Sequence, residues 1–260
     1  SSKQLQVFTN LEMLHPAVST RAVDGQWESN DTIGISSTGM MDNMKFTRSG
    51  TSNQFVSAST VWFKDKGVRS FSAYYPYNAN PTNDLIMFQV PDSAIQSKQK
   101  VNDFLFASGQ ASYAYPSLTL NFTHKMARVF IKIYPSPEYG FTTNDFSGSI
   151  LTFCDYFDSG TFNIKTGKVE CSEESVSTGY FGEVKSSYMT FLLYVPAQTV
   201  PNIQLDLQNG EHYTFSINDK WEAGHSYSYS LKPVRSKLQI TSVSISSWES
   251  EQEQSIPGYS

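Results

Sequence analysis

The sequence predicts an all-β protein, a sandwich or a barrel, in two domains. Aromatic residues make up 14% of the 260 residues and charged residues only 17%, a composition that favours pleated, half-buried surfaces. Short alternating runs are separated by Pro, Gly and Asn, and no amphipathic helix of about 12 or more residues interrupts them. The length suits two domains of about 120–140 residues, each able to bury its own core.

Apolar and polar residues alternate, or apolar residues cluster, in short segments that we predict to be strands. These segments are 31–35, 68–75, 85–90, 118–122, 127–134, 149–153, 189–195, 203–207, 212–217, 226–231 and 238–245. Asn209-Gly210 lies between two of them and predicts a hairpin with a type I′ turn. Residues 92–101 are predicted to form one short helical turn, nothing larger.

The strand pattern predicts three segments along the chain. Residues 1–26 alternate weakly and form either a terminal strand or a loose leader, while 27–124 and 125–260 form the N-terminal and C-terminal domains, the second with a polar tail from Glu249 onward. The boundary falls near His124-Lys125, between two clean strands, and residues 135–139 are the second choice.

Charge and hydropathy exclude two classes of partner. The net charge of −5 and the absence of a dense Lys/Arg cluster argue against nucleic-acid binding. No run of about 18 or more apolar residues is present, so no helix is expected to span a bilayer. The sequence begins at Ser1-Ser2-Lys3 without a signal peptide, and the Ser/Thr/Tyr-rich composition favours a secreted protein whose leader has been removed over a cytosolic one.

The cysteines do not indicate a metal or cofactor site. Cys154 and Cys171 lie on neighbouring predicted strands and are either two small buried side chains or one disulfide. They lack a CxxC spacing and have no nearby His, so a metal site is not expected. We predict no cofactor.

Motifs of catalysis are missing from the sequence. The four His residues stand in separate contexts, and no G-x-S-x-G, P-loop or G-x-G-x-x-G motif is present. Asp155 and Asp158 are interpreted as solvated loop residues rather than an acid/base pair. The tyrosines of 74–77 and 113–115 could stack on sugars, but packing of their rings over the core is the favoured interpretation. We therefore predict that the protein is not an enzyme.

A series of short motifs follows a defined order across nearly the whole chain. The series consists of Thr20-Arg21-Ala22, Trp27, Asp31-x-Ile33-Gly34-Ile35, Phe71-x-Ala73-Tyr74-Tyr75-Pro76-Tyr77, Asp103-x-Leu105-x-Ala107, Leu118-x-Leu120-x-Phe122-x-His124-Lys125-Met126-x-x-Val129-x-Ile131-x-Ile133, Val195-Pro196-Ala197-Gln198, Trp221-x-Ala223-Gly224-x-x-Tyr227-x-Tyr229 and Trp248. Each motif is weak alone, but their order and spacing are fairly specific. In these motifs the chain resembles the fimbrillin family of Bacteroidales, the subunits of type V pili.

The resemblance implies two tandem β-sandwich domains of transthyretin-like topology. It also implies export through the periplasm as a lipoprotein precursor, with a lipid anchor in the outer membrane and the lipidated Cys just before this numbering. A trypsin-like surface protease would cut between Arg21 and Ala22 and remove residues 5–18, a strand whose apolar residues are Leu5, Val7, Leu11 and Met13. A strand of another subunit would then fill the groove, because it gains an unpaired edge and an apolar trench.

The donor strand is the less defined part of this expectation. Stalk subunits of the family donate a C-terminal extension, but residues 249–254 are too polar to fill an apolar trench. Either the extension is missing, or 238–245 is the donor, through Leu238, Ile240, Val243 and Ile245. A missing donor favours a tip or accessory subunit over a stalk subunit.

Other pilus subunits and a host protein or glycan are the expected partners. Two further classes stay open. One is a surface carbohydrate-binding lipoprotein that shares the sandwich fold and uses the exposed tyrosines. The other is a β-sandwich enzyme with carboxylates assembled from loops, for which we expect no convergent acidic cleft.

Overall fold

The computed structural model describes residues 3–11, 26–234 and 237–247, and the side chains of all of these except 237–242 and 246–247. Strands make up most of this part of the chain, which confirms the predicted all-β class. The only α-helix in it is α1 (Gln96–Gln99), followed by a 3₁₀ turn, as predicted for residues 92–101. In the same residues, no helix is long and apolar enough to cross a membrane.

Eight strands of the described residues precede Lys125 and thirteen follow it. The strands before it are β1 (Gln6–Leu11), β2 (Thr32–Ser37), β3 (Met41–Arg48), β4 (Gln54–Ser57), β5 (Val68–Tyr75), β6 (Leu85–Gln89), β7 (Leu105–Ser112) and β8 (Ser117–His124). The strands after it are β9 (Ala127–Ile133), β10 (Ile150–Tyr156), β11 (Ser159–Asn163), β12 (Val169–Cys171), β13 (Val176–Phe181), β14 (Glu183–Val184), β15 (Met189–Val195), β16 (Gln198–Thr199), β17 (Asn202–Asp206), β18 (His212–Phe215), β19 (Lys220–Trp221), β20 (His225–Val234) and β21 (Lys237–Ser247). The 3₁₀ turns are Lys100–Asn102, Pro137–Tyr139 and Thr143–Phe146.

The chain divides into two compact units that are not contiguous in sequence. The first unit comprises the described residues of 1–87, 103–125 and 161–169, and the second those of 88–102, 126–160 and 170–260. The prediction of contiguous segments 27–124 and 125–260 therefore differs from this division by two short excursions, although one division point is Lys125. That 27–124 and 125–260 are separate domains stays a prediction.

The first unit is a closed barrel of seven strands in the order β1-β4-β3-β2-β5-β7-β8. Neighbours pair antiparallel except β1 and β8, which pair in parallel over six residue pairs and close the barrel. Its core is formed by inward residues that alternate along the strands, as a period of two requires. In β8, Leu118, Leu120 and Phe122 are fully buried and the residues between them are exposed.

The second unit is built on a nine-stranded sheet in the order β13-β10-β17-β18-β21-β20-β9-β15-β14. All seven residues of β15, the second strand from one edge, are buried, and its neighbour β9 buries every second residue. An aromatic cluster fills part of its core, where Phe153 contacts Tyr156, Tyr180 and Trp221.

The hairpin predicted at Asn209-Gly210 is confirmed, but its predicted turn type is wrong. β17 and β18 are joined as predicted, yet only Gly210 has a positive φ, of 91°. A type I′ turn needs positive φ at both central residues. Here the Gly210 N–H donates to the Leu207 carbonyl (3.1 Å) and the Leu207 N–H to the Glu211 carbonyl (2.8 Å). This is a three-residue loop, a common turn followed by a left-handed glycine.

Candidate functional site

In the described part of the chain, the two carboxylates considered as an acid/base pair lie in different environments. In the described residues, no group of three or more His, Cys, Asp or Glu could hold a metal ion. Asp155 is exposed as predicted, but Asp158, predicted to be solvated, is buried and accepts a hydrogen bond from the Thr178 hydroxyl (2.9 Å). The chain turns inward there because Tyr156, between them, packs into the core. The two carboxylates thus lie in different environments, one exposed and one buried, which does not favour an acid/base pair.

The tyrosines considered as a sugar-binding surface are mostly engaged in packing. Tyr74 is buried, and its hydroxyl donates to Asn43 Oδ1 (2.6 Å). The Tyr75 hydroxyl donates to Asp31 Oδ1 (3.1 Å), and burial together with this carboxylate raises the pKa of Tyr75 well above its usual range. Tyr77 is half-buried under the Lys45 ammonium, whereas Tyr115 is 79% exposed. The rings of Tyr74 and Tyr75 are therefore not available as a stacking platform.

The candidate functional site is the position of β1 in the closed barrel of the first unit. Leu5, Val7 and Thr9 point inward and are buried, and Leu11 is half-buried. Gln4, Gln6 and Asn10 point outward and are exposed. This alternation places one face of β1 in the core, so that of the two alternatives left open for residues 1–26, the described residues of this segment form a strand.

β1 is paired on both edges, with β8 along its whole length and with β4 over its first half. On one side Val7 lies opposite Leu118 and Thr9 opposite Leu120 of β8. On the other side Val7 lies opposite Phe55 of β4, and the Thr9 N–H donates to the Asn53 carbonyl (2.9 Å). The residues before the strand continue this pairing: the Leu5 N–H donates to the Val61 carbonyl (2.9 Å). β1 is therefore the strand that joins two otherwise separate edges.

Trp27 covers the inward face of β1 near its C-terminal end. Its ring meets Phe55, Tyr75 and Phe122 edge-on, with centroids 5.1–5.4 Å apart. The indole N–H donates to the Thr9 hydroxyl oxygen (2.9 Å), and the Thr9 hydroxyl donates to the Asn53 carbonyl (3.1 Å). One polar side chain thus sits among apolar ones, held by two hydrogen bonds in a buried place.

This contact was not predicted from the sequence. Thr9 is a polar residue at an inward position of a weakly alternating segment, and its partner lies 18 residues further along the chain. The sole usable signal was that period-two alternation from Leu5 and Val7 points Thr9 inward. On the outer face of the barrel, a further side-chain contact joins β1 and β8, since the Asn10 amide donates to Asn121 Oδ1 (2.9 Å).

The remaining predicted site residues are placed as follows. Arg21, Ala22 and Met13 lie outside the described residues. Val243 is buried and Ile245 partly exposed in β21; Leu238 and Ile240 lie in the same strand, and their side chains are outside the description. β21 pairs antiparallel with β20 from Lys237 to Ser247.

The two cysteines of the candidate disulfide lie in the second unit. Cys154 belongs to β10 and Cys171 to β12, and both are free thiols in the structure. Partial burial raises the pKa of the Cys171 thiol, so this thiol is less reactive than an exposed one.

Comparison with known proteins gives one family over most of the chain. A family model described as fimbrillin-like matches residues 20–248. Fim1C of Bacteroides uniformis, named as a candidate fimbrium subunit, is 24% identical over an alignment of 249 residues that covers 86% of this chain and 80% of that protein.

Solved structures share the fold. A candidate cell adhesion protein of Bacteroides uniformis has a TM-score of 0.75 at 21% identity, covering 95% of this chain and 99% of that one. A second, from Bacteroides ovatus, has a TM-score of 0.72 at 23% identity, covering 95% and 98%. The tip fimbrial protein Mfa3 of Porphyromonas gingivalis has a TM-score of 0.53 at 11% identity, covering 95% and 100%. With the family model matching most of its length, the resemblance seen in the sequence motifs is confirmed, and this chain belongs to the fimbrillin-like family.

Proposed function

We propose that the protein is a structural and adhesive subunit of a cell-surface pilus, and that it joins the pilus by accepting a strand of another subunit in place of β1. The observation that carries this proposal is the position of β1, a terminal strand that alone joins the edges of β4 and β8. Kinship with a candidate fimbrium subunit supports the cellular role.

Loss of β1 would create the driving force for assembly. It leaves two strand edges with unpaired N–H and C=O groups, which are a template for another strand. It also uncovers the buried faces of Leu118, Leu120 and Phe122, with Phe55 on the opposite wall. Each large apolar side chain covered again contributes roughly 1.5–3 kcal/mol. An incoming strand with matching alternation recovers both terms.

Proteolysis after Arg21 is the proposed trigger. The cut bond, Arg21–Ala22, follows β1 in the chain, so cleavage frees β1 from everything but its non-covalent contacts. Export as a lipoprotein precursor through the periplasm, and anchoring to the outer membrane by its lipid, complete the proposed route. Within this proposal the removal of β1 opens the closed barrel of the first unit, and a transthyretin-like sandwich topology of the two units stays a prediction from the family resemblance.

The pairing of β21 in the second unit favours a tip or accessory position of the subunit in the pilus over a stalk position. To act as donor, 238–245 would have to leave its antiparallel pairing with β20 and withdraw Val243 from the core. The loss of the pairing between β20 and β21 and the exposure of Val243 both oppose donation. Acceptance of a strand in place of β1 leaves β21 where it is. We therefore propose a subunit that accepts a strand, without enzymatic activity, whose partners are other pilus subunits and, as an adhesin, a host protein or glycan.

Limited trypsin digestion followed by mixing with co-expressed fimbrial subunits tests the proposal. N-terminal sequencing should show a chain that begins at Ala22. The trimmed protein should form complexes that survive SDS without boiling, because an inserted strand is held by both edges and by an apolar face. The variant Arg21→Gln should resist this cut and remain monomeric.

An excess of synthetic peptide covering residues 3–11 should block capture, since it competes for the same groove. Trimmed protein that stays monomeric and captures no co-expressed subunit would refute the role proposed for β1. Complexes that form equally well with the Arg21→Gln variant would also refute it, since capture would then not depend on strand release.

A further inference from the structure

The groove occupied by β1 is apolar along most of its length and polar at one defined level. The inward residues are Leu5, which directly precedes β1, and Val7, Thr9 and Leu11 within it, and Thr9 is the one with a hydrogen-bonding side chain. Its hydroxyl oxygen accepts from the Trp27 indole N–H (2.9 Å) and its proton goes to the Asn53 carbonyl (3.1 Å). Thr9 is 1% exposed, and its bond with the Trp27 indole is buried, whereas its bond with the Asn53 carbonyl is partly buried.

The indole N–H of Trp27 cannot turn away to find another partner. Its ring is wedged edge-on between Phe55, Tyr75 and Phe122, which fixes its plane. A buried donor left without an acceptor costs more than the bond itself contributes. A methyl group of the same size as the Thr9 hydroxyl would therefore fill the space and leave the N–H unsatisfied.

The hydrogen bonds at Thr9 also distinguish between registers of the strand that have the same alternation of inward and outward side chains. A slip of one residue turns every inward side chain outward and is excluded by burial. A slip of two residues preserves the alternation and brings an apolar side chain opposite Leu120, against the Trp27 N–H, where Thr9 now stands. Only a hydroxyl at this level separates the correct register from the slipped ones.

We propose that the groove selects its incoming strand by a Ser or Thr at the position of Thr9, preceded by apolar residues two and four positions earlier. This rests on the proposed function, in which another subunit's strand replaces β1. The partner is thus an extended segment, parallel to β8, with the pattern apolar-x-apolar-x-Ser/Thr. Trp27 is the positioning residue, because its indole N–H donates a hydrogen bond to this hydroxyl.

Exchange of synthetic strands tests the selection. The full chain is nicked after Arg21 with trypsin and incubated with labelled peptides of residues 3–11 that carry Thr, Ser or Val at position 9. The Thr and Ser peptides should exchange in with affinities within about threefold of each other. The Val peptide should bind about tenfold more weakly, which corresponds to 1.4 kcal/mol, although it is the more hydrophobic of the three.

The variant Trp27→Phe provides the matched control, because it keeps an aromatic ring and removes the N–H. In this chain the preference for Thr over Val should collapse to less than about threefold. Equal binding of the Thr and Val peptides to the unsubstituted chain would overturn the selection and leave strand acceptance intact. Failure of every peptide to exchange would overturn strand acceptance itself, and the selection with it.

A double-mutant cycle in the uncut chain gives a second measurement that does not depend on exchange. Thr9→Val should lower the folding equilibrium constant about tenfold in the Trp27 chain and less than about threefold in the Trp27→Phe chain. Additive effects of the two substitutions would contradict a direct bond between the two side chains and would overturn the proposal.

Discussion

Truncation of Val7 tests whether β1 is an integral part of the barrel core. Val7 is 1% exposed and lies between Phe55 and Leu118 on the neighbouring strands. Val7→Ala removes two carbons, whose transfer from water contributes about 1.6 kcal/mol. The cavity left between these neighbours raises the expected loss to about 2–3 kcal/mol. Such a loss is a large fraction of a typical unfolding free energy of about 5–15 kcal/mol.

Urea unfolding followed by fluorescence measures the effect as a lower midpoint at unchanged slope. Gln6→Ala is the control, because Gln6 is the exposed neighbour on the same strand and its truncation should cost less than about 0.5 kcal/mol. A terminal strand that frays in solution would give both variants the same small effect. Equal midpoints for Val7→Ala and Gln6→Ala would therefore refute the packing of β1 and, with it, the argument for the groove.

Two further predictions concern the second unit. The Trp221 indole N–H donates to the buried Tyr229 hydroxyl (3.0 Å), so Tyr229→Phe should cost about 1–3 kcal/mol of unfolding free energy. The Tyr180 hydroxyl is buried without a hydrogen-bond partner among the described residues, so Tyr180→Phe should be neutral or stabilising in the same urea experiment; the reverse order would contradict both assignments. The Lys232 ammonium holds the pKa of Glu138 below its usual 4.5, so the pair stabilises the fold above that pH and the contribution disappears as pH falls through the lowered pKa. Lys232→Met should therefore lower the unfolding midpoint at about pH 6 and leave it unchanged at about pH 3; an equal effect at both values would argue against the ion pair.

Several strands with strong burial were predictable from the sequence, although β7, which buries four of its eight residues, was missed. β15 consists of seven buried residues, and β9 alternates without a break, so the predictions for them agree within a residue with the structure. β3 and β13 were missed because each buries only one residue, Phe46 and Tyr180, and therefore carries no apolar period. Such strands are held by their neighbours' hydrogen bonds, which no local pattern records.

The candidate site was only partly predictable for a related reason. The weak alternation of residues 1–26 indicated either a terminal strand or a loose leader, and the structure places Leu5 and Val7 in the barrel core. The role of Thr9 depends on Trp27, whose indole reaches it across the barrel interior, and on the Asn53 carbonyl in a loop. Contacts of this kind arise from the closure of the sheet, which a single sequence does not specify.

The parallel pairing of β1 with β8 has a consequence for the order in which the protein folds. Asn10 and Asn121, which meet across this pair, are 111 residues apart in the chain. Contacts of such large sequence separation form late, because the entropy of closing the intervening loop must be overcome first. β1, the earliest strand in the described part of the chain, is thus expected to dock after the other strands of the barrel have paired. Under the proposed release of β1, the chain would return to the arrangement that precedes this docking, with the other six barrel strands formed and the edges of β4 and β8 unpaired.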